Sequence, residues 1–186
     1  MRIAVYPGSF DPLHIGHLAI MERLCGDPSF DWVYLVISPQ NPFKDPSKAL
    51  TAEKRYLAAV EAVRRHPELH VWVDNIELSM DPPHYTIRKL DALRQREPGN
   101  EFTLVMGADN LAGIAGWKDP ERILCEYGVA VYPRSGFDLD ALRESTFAQF
   151  GPCCRIRPLD APLVDISSTR IREGIAAGED MSRWMM

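Results

Sequence analysis

Two histidines three residues apart, His14 and His17, close the stretch "GSFDPLHIGH", which follows an apolar run near the N-terminus. Three chemistries fit these residue types. Gly8 permits a tight turn and close backbone approach to a ligand. Asp11-Pro12 is a turn signal leading toward a helix. In the first turn of that helix the two histidines share a face, and Gly16 between them leaves room for a nucleotide. A helix N-terminus with its free N–H groups suits phosphate. Metal binding fits less well, because no third ligand stands at helical spacing and the pattern is not HExxH. A helix cap with partly exposed histidines is the plainest alternative.

A second polar stretch, "ISSTRIREG" (Ile166–Gly174), lies far away in the chain. Ser167 or Ser168 can cap a helix, and Thr169 follows them into its first turn. Arg172 can grip phosphate oxygens in pairs, whereas Arg170 reads as solvated. Taken alone, this is an ordinary helix start. Paired with the first stretch, it becomes a strong signal.

The elements that must position these residues alternate. "RIAVYP" (Arg2–Pro7), "WVYLVIS" (Trp32–Ser38), "HVWVD" (His70–Asp74), "FTLVMG" (Phe102–Gly107) and "VAVYP" (Val129–Pro133) read as strands, with "CRIRPL" (Cys154–Leu159) a weaker sixth. Their near-continuous apolarity is that of strands covered on both faces. Helical spacing runs from Thr51 to about Arg65, with Leu57, Val60 and Val63 facing inward and Thr51 as N-cap. It recurs from Tyr85 to about Gln95 through Ile87, Leu90 and Leu93. Pro120–Tyr127 and Leu139–Phe150 are shorter or looser, and Ser167–Ala177 offers Ile171 and Ile175 for burial. The alternation predicts an α/β fold: one three-layer, Rossmann-like domain over residues 1–186 with a mainly parallel doubly wound sheet. In such sheets ligands bind beyond the carboxyl ends of the strands, near a topological switch point. Both polar stretches fit that location, as do the others described below.

The bulk properties narrow the function. The chain has 186 residues, 46% of them hydrophobic and 25% charged, as in ordinary soluble domains. A formal charge of -5 argues against broad affinity for nucleic acid or anionic membranes. No run is long enough to cross a bilayer, and no secretory leader opens the chain. Cys25, Cys125, Cys153 and Cys154 form no CxxC pair and no metal-ligand spacing. They read as small core hydrophobes in a reducing cytoplasm.

"GSFDPLHIGH" resembles the (H/T)xGH nucleotidyltransferase superfamily, and "ISSTRIREG" looks like its C-terminal ISSTxIR element. The resemblance implies transfer of a nucleoside monophosphate from a triphosphate onto a phosphate. It makes His14, His17 and Arg172 the catalytic set. Gly8, Ser9, Phe10, Ser167, Ser168 and Thr169 would then surround ATP. Three further segments resemble the nicotinate-nucleotide adenylyltransferase family. "SPQNPFK" (Ser38–Lys44) is similar to its Pro-x-x-Pro-x-Lys loop, with Lys44 toward the acceptor or the triphosphate. "HYTIRKL" (His84–Leu90) matches a Ser-Tyr-Thr segment with His84 in the serine position. It would put Tyr85 and Thr86 near the nicotinate group. "GADNLAGIAGW" (Gly107–Trp117) implies Gly107 and Asp109 at the adenosine ribose and Trp117 stacked on the pyridine ring. "YPRSG" (Tyr132–Gly136) resembles an Arg-Pro-Gly turn and adds Arg134 as a phosphate, adenine or acceptor contact.

The resemblance therefore implies transfer of AMP from ATP to nicotinate mononucleotide, with Mg2+ entering on ATP and no dedicated protein ligand cluster. Nicotinamide mononucleotide and phosphopantetheine are the rival acceptors. "YPGSFDP" is similar to phosphopantetheine adenylyltransferases, but the YT and GADNL…W segments speak against that acceptor. A noncatalytic nucleotide-binding protein is the rival of another class. Assembly into a homo-oligomer is left open. Family members usually continue beyond "GEDMSRWMM" into another helix.

Overall fold

A computed structural model describes residues 1–39 and 51–186. Six parallel strands form one sheet: β1 (Arg2–Gly8), β2 (Trp32–Ile37), β3 (Val71–Asp74), β4 (Glu101–Gly107), β5 (Val129–Tyr132) and β6 (Ile156–Pro158). Their order is β3-β2-β1-β4-β5-β6. All six expected strands are present, with ends shifted by a residue or two. Strand β1 lies between β2 and β4, pairing Ile3 with Trp32 on one side and with Phe102 on the other. The chain winds one way from β1 to β3 and the other way from β4 to β6. Connections leaving β1 and β4 therefore diverge and open a crevice at their carboxyl ends.

The helices are α1 (Ile15–Cys25), α2 (Ala52–Arg64), α3 (Thr86–Arg96), α4 (Ala108–Ala112), α5 (Pro120–Arg122), α6 (Leu139–Phe150) and α7 (Ser168–Ala176). Alternate strand residues face opposite layers. Ala4, Tyr6, Val33, Leu35 and Ile37 pack with Ile20, Met21 and Leu24 of α1 and with Ala59 and Ala62 of α2. Ile3, Val5, Phe102 and Leu104 pack with Ile87, Leu90 and Leu93 of α3 and with Leu111 of α4. This is the three-layer arrangement read from the sequence.

Thr51 caps α2 as expected, its hydroxyl accepting the Lys54 N–H at 3.3 Å. The buried stripe of that helix differs from the expected one. Arg55, Ala59 and Ala62 face inward, whereas Leu57 is 64% exposed. Small residues let α2 approach the sheet, and its inward arginine has a partner described below. On α7 Ile171 is buried, but Ile175 is 55% exposed, because Gly174 occupies the inward position against Met181. Ile123–Tyr127, expected to continue α5, winds as a wider π-turn.

The cysteines also differ from the reading as separate core hydrophobes. Cys125 and Cys153 are joined in a disulfide across 28 residues of sequence. Cys154 is a buried free thiol whose sulfur lies within 4.8 Å of both, and Cys25 is free and partly buried. Chain reversal around α6, invisible to spacing rules, brings the three together. Among the described residues no helix is long and apolar enough to cross a membrane.

Candidate active site

The loop leaving β1 turns sharply before α1. Phe10 adopts φ 45°, in the left-handed region, and the Asp11–Pro12 bond is cis. The buried Phe10 ring meets Tyr6 and His17 edge-on, at centroid separations of 5.4 and 5.0 Å. His14 is the N-cap of α1 and His17 its third residue. Their rings stack at 3.6 Å and 25°. The backbone N–H of His14 donates to Nδ1 of His17 at 3.2 Å. Neutral His17 therefore carries its proton on Nε2, which is left as the donor. Gly16 lies against the His14 ring, which a Cβ there would crowd at 3.1 Å.

Both histidines resist protonation. Burial, with help from the Arg134 charge, lowers His14 to about 4. Burial, then His14 and Arg134, holds His17 well below the usual histidine range. At neutral pH the free site presents two uncharged imidazoles.

The loop is gripped from two sides. Arg55, buried on α2, donates from Nη1 to the Ser9 carbonyl. Arg172 of α7 donates from Nη1 to the Asp11 carbonyl, and its Nη2 meets Thr169 Oγ1 at 3.1 Å. Ser168 Oγ donates to the Pro12 carbonyl at 3.0 Å, while Ser167 caps α7 by accepting the Arg170 N–H at 3.1 Å. Arg170 pairs with Glu179 at 2.8 Å, away from this cluster. The two polar stretches meet through backbone carbonyls of the first.

Beyond β4 and β5 stands a second group. Gly107 ends β4, and a Cβ there would collide with the Asp109 carboxylate and approach Arg134 Nε. Asp109 and Arg134 face each other at 3.4 Å, both about half exposed. The Arg134 guanidinium also lies 5.1 Å from the centre of the Tyr132 ring. Arg134 is not among the described residues lining the neighbouring cavity.

That cavity, of about 790 Å³, opens at the carboxyl ends of β1, β2 and β4. Tyr85, Thr86 and Trp117 line it together, with Met106 and Asn110 on the β4 side. Tyr85 precedes α3 as its N-cap, and Thr86 is the first helical residue. Lys44 lies outside the described residues.

Several residues of this region escape sequence reasoning. Arg55 leaves a legible trace, an arginine sharing a helical stripe with Ala59 and Ala62. Lys89 also sits on the inward stripe of α3, spaced from Thr86 and Leu93 for one face. Its partner Glu77, 2.6 Å away on the turn Ile76–Ser79, carries no such signal. Burial pulls the Lys89 ammonium below its ordinary value, against the attraction of Glu77.

The arrangement pairs a histidine-bearing loop, held by α2 and α7, with an adjoining cavity lined by aromatic, apolar and a few polar groups. Residues 5–174 match the cytidylyltransferase-like family model. A Bacteroides fragilis protein named probable nicotinate-nucleotide adenylyltransferase is 36% identical over 180 residues, covering 97% of this chain and 85% of the relative. A relative of the same name from Flavobacterium psychrophilum is 37% identical, with coverages of 94% and 86%. The solved Plasmodium falciparum nicotinic acid mononucleotide adenylyltransferase complexed with NaAD superposes with a TM-score of 0.78 at 17% identity. That match covers 99% of this chain and 90% of the other, and at such identity it shows the shared fold. Fold, family match and full-length relatives agree: the chain belongs to the cytidylyltransferase-like nucleotidyltransferases, within their nicotinate-nucleotide adenylyltransferase branch.

Proposed function

We propose that the protein transfers the adenylyl group of ATP to nicotinate mononucleotide, giving deamido-NAD and pyrophosphate. The observation that carries this reading is the adjacency of two unlike compartments at the β1/β4 crevice. One holds the stacked histidines on a loop tied at Pro12 to the start of α7; the other gathers Tyr85, Thr86 and Trp117 around one cavity.

An acceptor phosphate oxygen attacks the α-phosphorus of ATP in line, and the bond to the pyrophosphate leaving group breaks. The acceptor phosphate is already ionised, so the protein needs neither a nucleophile nor a general base. Its contribution is positioning and stabilisation of a crowded anionic transition state. His17 donates from Nε2 to the α-phosphate, and His14 orients the triphosphate. Arg172, Ser9, Ser168 and the first N–H groups of α7 hold phosphate oxygens. Asp109 meets the ribose hydroxyls of the adenosine, beside Arg134. Trp117 stacks on the pyridine ring, and the start of α3 at Thr86 faces its carboxylate.

Magnesium bound with ATP would spread charge over the phosphates. We read the enzyme as cytoplasmic, where ATP and pyridine nucleotides meet.

The test is pyrophosphate release from ATP with nicotinate mononucleotide, nicotinamide mononucleotide and phosphopantetheine, each supplied separately. Release with nicotinate mononucleotide in clear preference supports the reading. Preference for another acceptor overturns the substrate, and no release with any of the three overturns the activity.

A further inference from the structure

The acceptor cavity has an ion pair in its wall. Among its described lining residues the formally charged side chains are Glu77 and Lys89. Both are nearly sealed from solvent, at 3% and 4% exposure, with Lys89 Nζ 2.6 Å from Glu77 Oε2. Ser38, just past β2, completes the set. Its hydroxyl donates to the same Glu77 oxygen at 2.7 Å and accepts from Lys89 at 3.3 Å. The triad ties the end of β2 to the turn after β3 and to the first turns of α3.

Lys89 follows Thr86 by three residues and Tyr85 by four, so it rises from the same helical face beneath them. An anion placed at the start of α3 is favoured by the unpaired N–H groups of that helix end. A lone Glu77 carboxylate in the same wall opposes it. Buried like charges interact strongly, because little water screens them. The lysine cancels that opposition.

We propose that Lys89 determines acceptor choice by neutralising Glu77, so that the cavity admits a pyridine ring bearing a carboxylate rather than a neutral amide. This rests on the adenylyltransferase reading above. Lys89 acts through Glu77 and is a positioning and specificity residue. Discrimination then comes from the wall as well as from the groups touching the ring, since selectivity is a difference between two affinities.

The experiment compares steady-state kinetics with nicotinate and nicotinamide mononucleotides at about pH 8. In Lys89→Met the KM for the nicotinate nucleotide rises about 10-fold or more, while that for the amide moves less than about 3-fold. KM for ATP stays unchanged. Adding Glu77→Gln to Lys89→Met restores the preference. Glu77→Gln alone, which leaves the lysine uncompensated, shifts preference further toward the nicotinate nucleotide. This variant decides the matter if Lys89→Met does not fold. Equal losses with both acceptors, or no rescue in the double variant, overturn the proposal. A wild-type protein inactive with either nucleotide instead overturns the adenylyltransferase reading, and the control reveals that before any variant is compared.

Discussion

The imidazoles of His14 and His17 lie face to face at 3.6 Å, and the backbone N–H of His14 fixes Nδ1 of His17 as an acceptor. The pair is thus preset with a proton donor at His17 Nε2. Replacing His17 by alanine removes the donor while leaving the loop carbonyls clamped by Arg55 and Arg172. We expect kcat to fall about 100-fold or more, with ATP affinity changed less than about 5-fold. Rapid-quench turnover and direct ATP titration measure the two separately. Unchanged turnover in His17→Ala rules out the assigned role.

The depressed His14 predicts a pH dependence of stability. Above about pH 6.5 the imidazole is neutral in folded and unfolded chains alike. As pH falls toward about 4, the unfolded chain takes up a proton that the folded protein refuses. Stability from this group is therefore intact above the unfolded value and lost on acidification, by about 3 kcal/mol in total. His14→Gln should flatten that part of the profile, measured by urea denaturation between about pH 7 and pH 4. An unaltered slope contradicts the assignment.

Arg55 holds the Ser9 carbonyl from inside the protein, so its loss should affect both folding and substrate. Arg55→Ala leaves a cavity and a loosened phosphate loop. We expect a stability loss of about 2–4 kcal/mol and a several-fold rise in the KM for ATP. Nicotinate mononucleotide binding should change little. Calorimetry and kinetics on the same preparation check both, and a stable variant with normal ATP kinetics refutes the clamp.

Trp117 lines the cavity beyond β4 and also packs against the core cluster on the α3 side of the sheet. Trp117→Ala should raise the KM for the pyridine nucleotide about 10-fold, through loss of stacking surface. ATP affinity should stay near the wild-type value. A change confined to ATP places the ring elsewhere.

The sheet was legible because each strand carries apolar residues toward two helical layers, a pattern with few competing explanations. Helix orientation was less so. Leu57 and Ile175 suggested core positions by spacing, yet alanines and a glycine occupy the inward stripes there, since close approach mattered more than side-chain volume. The phosphate loop and the ISSTRIREG helix could be paired by motif, but their contact through the Asp11 and Pro12 carbonyls could not. Arg134 stands beside Asp109, outside the described lining of the cavity. The Glu77–Lys89 pair and the Cys125–Cys153 link depend on chain reversals that local periodicity does not encode. They emerge only once the sheet order brings distant segments together.

The contact between Arg172 and Asp11 spans 161 positions, whereas the last strand ends at Pro158. During synthesis every strand leaves the ribosome before the helix that grips the first loop. A nascent chain can assemble its sheet while the β1–α1 turn still lacks one of its two arginine clamps. The loop gains its second arginine clamp only when α7 docks.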